Sequence, residues 1–201
     1  MKKPQLFILG ITCCIAVAFI IFILFSFPFK LTNSKISSHV PQNNTSSQAE
    51  NEFQNVILKL DNSDKLAAFM NENFILDINN VNDTAISPKE LLMKKQGGIQ
   101  DFAVFAVSVL DSHKFETGII RYKFTIGKNH KTGINTIVVF GENNTPKYFY
   151  FDEGKVKISP YSGSFNDLFH QEEKRLNAII TEYAAIYPGT LNLIPREWRK
   201  R

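Results

Sequence analysis

Cysteine is nearly absent from this 201-residue sequence. The two that occur, Cys13 and Cys14, are adjacent and sit inside an apolar N-terminal run. From residue 15 onward there is no thiol, which excludes a disulfide framework, a cysteine-based metal site and a thiol nucleophile from the body of the chain. A cysteine-free body also suits an oxidising compartment. Histidine is scarce as well. His39, His113, His130 and His170 share no short ligand spacing, so neither a metal site nor a cofactor is expected. The body lacks a basic excess too: residues 51–195 carry 15 Lys and Arg against 17 Asp and Glu, a net of −2. The overall formal charge of +4 therefore comes from the two ends, and a basic face that follows nucleic acid is not expected.

A third absence is of charge near the start. Residues 6–29, opening at Leu6 and closing at Phe29, read LFILGITCCIAVAFIIFILFSFPF, 24 positions without a charged side chain. A bilayer-spanning helix needs about 20 apolar residues, whereas a cleavable signal peptide has an apolar core of about 7–15. The run is read as an uncleaved anchor over residues 1–30, with the lipid bilayer as its partner. Lys2 and Lys3 before it favour a cytoplasmic N-terminus. The following domain is then expected on the outer face of the cytoplasmic membrane. Residues 31–50 are polar, rich in Ser, Asn, Thr and Gln, and read as a flexible tether.

What the body does contain is periodicity. Phe53, Val56, Ile57 and Leu60 recur at helical spacing. Ser63 is the expected N-cap of a helix over 64–73. In SPKELLMKK, Ser87 is an N-cap, Pro88 takes the first helical position and Glu90 completes a capping box, with a stop at Gly97-Gly98. A second helix from Ile99 or Gln100 to Ser112 is apolar nearly all round and is therefore expected at the centre of the domain. The period then falls to two. In GIIRYKFTI, Ile120, Tyr122, Phe124 and Ile126 alternate with Arg121, Lys123 and Thr125, which predicts a half-buried strand. NTIVVFGE, KYFYFDEG and KVKIS add three more with short turns, hence an antiparallel sheet of about four strands. Tyr148 to Phe151 are all aromatic, and burial on both sides of the sheet is expected for them. Residues 164–187 read as one long amphipathic helix ended by Pro188-Gly189. The predicted class is α+β, with the domain over 51–190 and a basic tail over 191–201. In that tail Trp198 stands among basic residues, which suits either contact with anionic headgroups or a solvated end.

The stretch GGIQDFA, a helix entry followed by an antiparallel sheet, resembles the transglutaminase-like, papain-type cysteine hydrolases. Their motif Gly-x-Cys-x-Asp-x-Ala finds Gly97, Asp101 and Ala103 in register. The resemblance covers roughly residues 87–160. It implies that the nucleophile position is Ile99, the histidine position Asn135 in INTIVVF, and the aspartate position Asp152 at the end of KYFYFD. Isoleucine has no nucleophilic atom, so the resemblance implies a degenerate, catalytically inactive member. The function expected from it is a membrane-anchored pseudoenzyme whose vestigial groove binds a peptide or an envelope protein. Two alternatives stand beside it. One is an active hydrolase or transferase with a non-standard site, using His130 or His113 with Asp152. The other is a single-span structural or assembly protein of the envelope. Asp101 has a simpler reading, as a carboxylate in a helix's first turn that caps free N–H groups.

Overall fold

The computed structural model describes residues 44–127, 131–187 and 189–201. The charge-free run over 6–29, most of the tether, His39 and His130 lie outside them. Among the described residues no helix is long and apolar enough to cross a membrane.

Helix α1 (Asn44–Ile57) begins within the stretch read as tether and buries Phe53 and Ile57. Helix α2 (Ser63–Asn73) is capped by Asn62, whose side chain accepts from the Lys65 N–H at 2.9 Å. The cap is thus one residue earlier than expected, on a residue equally able to serve. Ser63 instead ties the start of α2 to the sheet, with its N–H and Oγ donating to Glu142 at 2.9 and 2.6 Å. Strand β1 (Ile75–Leu76) pairs in parallel with β2 (Gln96–Gly97). Between them α3 (Pro88–Lys94) starts on the Ser87 cap, with Pro88 at its head. It stops at Lys95 in the left-handed region, φ 57°, two residues before the glycines expected to end it. Helix α4 (Ile99–Ser112) is buried on nearly every side, as its composition predicts.

Strands β3 (Thr117–Ile126), β4 (Lys131–Glu142), β5 (Thr145–Asp152), β6 (Lys155–Pro160), β7 (Ala178–Ile186) and β8 (Arg199–Lys200) form one antiparallel sheet in the order β6-β5-β4-β3-β7-β8. Helix α5 (Phe165–Leu176) stands between β6 and β7 in sequence. The expected architecture is corrected here. The sheet has six strands rather than about four. The long C-terminal helix ends at Leu176, where Asn177 turns left-handed with φ 48°. Residues 178–186 then pair with β3. Their Ile179, Ile180 and Thr181 are β-branched and favour a strand. The alternation is that of a strand, with Ile179 exposed and Ile180 buried. This six-stranded sheet with a terminal strand pair replaces the expected sheet of about four strands closed by one long C-terminal helix.

Helices α1 to α4 cover one face of the sheet. Phe105 touches Phe53, Phe69 and Phe74 there, and Phe102 meets Phe151. Much of the chain's phenylalanine is spent on this cluster. Helix α5 covers the other face over Ile120, Tyr122, Ile137 and Tyr148. Phe149 and Phe151 therefore enter one cluster while Tyr148 enters the other. Arg121, expected on a solvated face, is 1% exposed and donates to Asp83 and to the Leu193 carbonyl at 2.8 and 2.7 Å. It is enclosed because the segments around residues 83–85 and 191–193 bond to each other above it.

The two sheet edges differ. At β6 the Asn71 side-chain amide donates to the Val156 carbonyl at 2.9 Å and accepts from its N–H at 2.8 Å, occupying that edge. At β7 the short β8 covers Glu182 and Tyr183 only.

Candidate functional site

The helix entry that resembles a catalytic motif is filled by the chain itself. Asp101 is 4% exposed. Its Oδ2 accepts from the Gly98 N–H at 2.7 Å and its Oδ1 from the Ile86 N–H at 2.8 Å. A Cβ on Gly98 would stand 2.1 Å from the Asn80 carbonyl oxygen, and one on Gly97 2.8 Å from Asp101 Oδ2. Gly98 admits close passage of the chain at Asn80, Gly97 makes room for the Asp101 side chain, and Asp101 staples the segment at Ile86. Ala103 is fully buried, and Ile99 packs against the helical-face core. Gly97, Asp101 and Ala103 thus have complete structural employment where they stand.

The other two motif positions lie on the opposite face, beneath α5. Asn135 Nδ2 donates to the Tyr122 hydroxyl at 2.8 Å, and Asn135 Oδ1 accepts from the Thr136 N–H at 2.8 Å. Tyr122 donates onward to Glu172 on α5. Glu172, with no exposed surface, accepts from Arg175 Nε at 2.9 Å and Nη2 at 2.6 Å. Arg175 Nη1 approaches Asp152 Oδ1 at 3.8 Å, and Asp152 pairs with Lys157 at 2.8 Å. The Arg175 guanidinium also lies over the Tyr150 ring, 4.9 Å from its centroid. Asn135 and Asp152 are therefore linked through a polar chain that is buried at Tyr122 and Glu172 and partly exposed at Asp152, while Ile99 belongs to the core on the far side of the sheet. The three do not converge on one groove.

This chain of contacts is internally satisfied and suits fastening α5 to the sheet. Burial, and then the adjacent Glu172 carboxylate, push the Tyr122 phenol well above its ordinary value. Burial does the same for Tyr148. The hydrogen bond from Lys157 leads in holding the Asp152 carboxyl below its ordinary value. The phenols have a consequence for stability. The fold favours their neutral form, whereas an unfolded tyrosine loses its proton near pH 10. Their stabilisation is complete below about pH 10 and is lost as pH rises beyond it, by about 1.4 kcal/mol per pH unit for each such phenol. Urea unfolding between pH 9 and 11 should show this decline, and Tyr122→Phe should make it shallower by about one proton's worth. An unchanged slope in that variant would refute the assignment to Tyr122.

Histidine supplies no base beside Asp152 among the described residues. His113 bonds to the Ile57 carbonyl at 2.9 Å, and His170 is exposed on α5. Among the described residues no group of three His, Cys, Asp or Glu is arranged to hold a metal ion.

An open concavity lies at the other margin of the sheet. A cleft of about 650 Å³ is lined by Phe165, Tyr183, Tyr187, Ile194, Arg196 and Arg199, among others. Its size is within the ordinary range of ligand clefts. Phe165 comes from the head of α5, Tyr183 from β7, Arg199 from β8, and Tyr187, Ile194 and Arg196 from the segment between the two strands. Tyr187 and Ile194 are 80% and 57% exposed. The far wall is held in place. Lys123 Nζ stands 4.4 Å from the Trp198 ring centroid, and Arg201 pairs with Glu173 while its guanidinium lies over Phe169. The segment read as a basic tail therefore builds a strand and one wall of a cleft. Reading 178–186 as helix conceals the cleft, because its floor is a strand edge. The β-branched run after Asn177 is the signal that could have exposed it.

No family model matches this chain, and no curated protein matches its sequence.

Proposed function

We propose that this protein is a membrane-anchored, non-catalytic module whose domain binds a peptide or protein segment in the cleft beside β7, on the outer face of the cytoplasmic membrane. The observation that carries the reading is the cleft itself: concave, lined by aromatic and basic side chains, and walled by a pinned C-terminal segment. Support for a non-catalytic role comes from Ile99, Asn135 and Asp152, of which the first is separated from the others by the sheet. Support for the anchor comes from the 24 uncharged residues over 6–29 and from Lys2 and Lys3 before them.

The test is a display selection of random peptides on the full-length chain in detergent. It should enrich peptides that compete for one site with dissociation constants of about 100 μM or tighter, roughly −5.5 kcal/mol. A selection that enriches nothing contradicts the reading. So does hydrolysis or cross-linking of peptides that Asp152→Ala abolishes.

A further inference from the structure

The binding-module reading, on which the following rests, can be taken to a mode of recognition and a class of partner. Strand β7 runs from Ala178 to Ile186, and β3 occupies one of its sides throughout. On the other side β8 reaches Glu182 and Tyr183 and goes no further. The Arg201 N–H donates to the Thr181 carbonyl at 3.1 Å. With Arg199 opposite Tyr183, the odd positions of β7 turn their backbone N–H and C=O groups toward β8. Ala185 is the next odd position. Its groups point the same way, into the cleft, where no strand meets them, and the residue is exposed.

An unpaired edge is a template for another chain. Here it is a selective one. At the opposite edge Asn71 bonds Val156 alone, whereas the gap at Ala185 lies inside a trough lined by aromatic and basic side chains. The segment over 194–199 contributes residues to the wall of that trough. Side chains alternate along an added strand. One set would meet the aromatic surface of Phe165 and Tyr183. Arg196 and Arg199 stand at the cleft with no ion pair among the described residues, against the single carboxylate of Glu197. The chain's own polar stretch over 31–43, ahead of α1, fits poorly, since it offers no carboxylate and carries Lys35.

We propose that an extended acidic peptide adds to the outer edge of β7 in line with β8. Its backbone pairs with Ala185, an apolar side chain rests on Phe165 and Tyr183, and its carboxylates face Arg196 and Arg199. Main-chain bonds supply affinity and the side-chain surfaces supply selectivity.

Fluorescence anisotropy on the full-length chain in detergent tests this with two labelled seven-residue peptides, one alternating Glu and Val, the other alternating Lys and Val. The Glu peptide should bind at least about tenfold more tightly at low salt. Ala185→Pro should weaken it by about tenfold or more with little change in thermal midpoint, because an outward N–H on an edge strand gives up no ladder bond. Arg196→Glu combined with Arg199→Glu should reverse the order of the two peptides, and this variant decides the matter if the proline also disturbs folding. Equal affinity for the two peptides overturns the proposal. So does indifference to both variants, or an Ala185-dependent dimer that excludes the Glu peptide and so makes a second copy the occupant. Failure of the Glu peptide alongside successful display selection rejects strand addition and leaves the binding module standing. Failure of both rejects the module as well.

Discussion

Glu172→Ala is expected to destabilise the domain by about 3 kcal/mol, the lower end of the cost of breaking a buried charge pair. Removing the carboxylate leaves Arg175, whose side chain is 16% exposed, without its two short contacts, and leaves Tyr122 without its acceptor. Asp152 at 3.8 Å and the Tyr150 ring soften the loss, which is why the upper end is not expected. Glu172→Gln keeps an acceptor for Tyr122 but forfeits the charge, and about half the effect should remain. Urea denaturation at neutral pH measures both. A loss below about 1 kcal/mol for the alanine variant would place the pair among ordinary surface bridges. It would also mean that α5 is held chiefly by its apolar face, Leu168 and Phe169, and by the Glu173 pair with Arg201.

Asp101→Ala should be comparably costly, about 3 kcal/mol, because it strands two backbone N–H groups at once. Gly98 and Ile86 both donate to this carboxylate from buried or half-buried positions, and each unmet donor costs about 1–3 kcal/mol. The helix also loses its N-terminal carboxylate. Gly98→Ala should be similarly damaging for a different reason, since the added Cβ meets the Asn80 carbonyl and overpacking of this kind costs about 1–3 kcal/mol. Neither change should alter affinity for a peptide at the β7 cleft once the protein is folded. Reduced peptide affinity with unchanged stability in Asp101→Ala would instead restore the helix entry as a binding site.

Local signals were legible in the sequence and long-range ones were not. Ser87, Pro88 and the apolar run of α4 announce themselves within a few residues. So do the period-two strands and the aromatic stretch buried on both faces. The C-terminal strand was hidden because Leu176, Ile180 and Tyr183 fit a helical stripe as well as they fit a strand. The decision between the two is made by β3, more than fifty residues away. Arg121 looked solvated because its partners, Asp83 and the Leu193 carbonyl, are remote in sequence. The glycine-aspartate frame at residues 97–101 was legible as a helix entry. Its resemblance to a catalytic motif arises because tight chain passage and active-site entry call on the same residue types at the same spacing. Asn135 and Asp152 share a face with each other and with α5, which their strand parity permits. Nothing local could place Ile99 on the other side.

The most direct measurement is residue-resolved amide hydrogen exchange on the full-length chain, with and without the Glu and Val peptide. Strand addition at the cleft predicts slowed exchange at Ala185 and no change across Gly98 to Asp101. Slowing at Gly98 to Asp101 with Ala185 unaffected would contradict it and return the binding site to the helix entry.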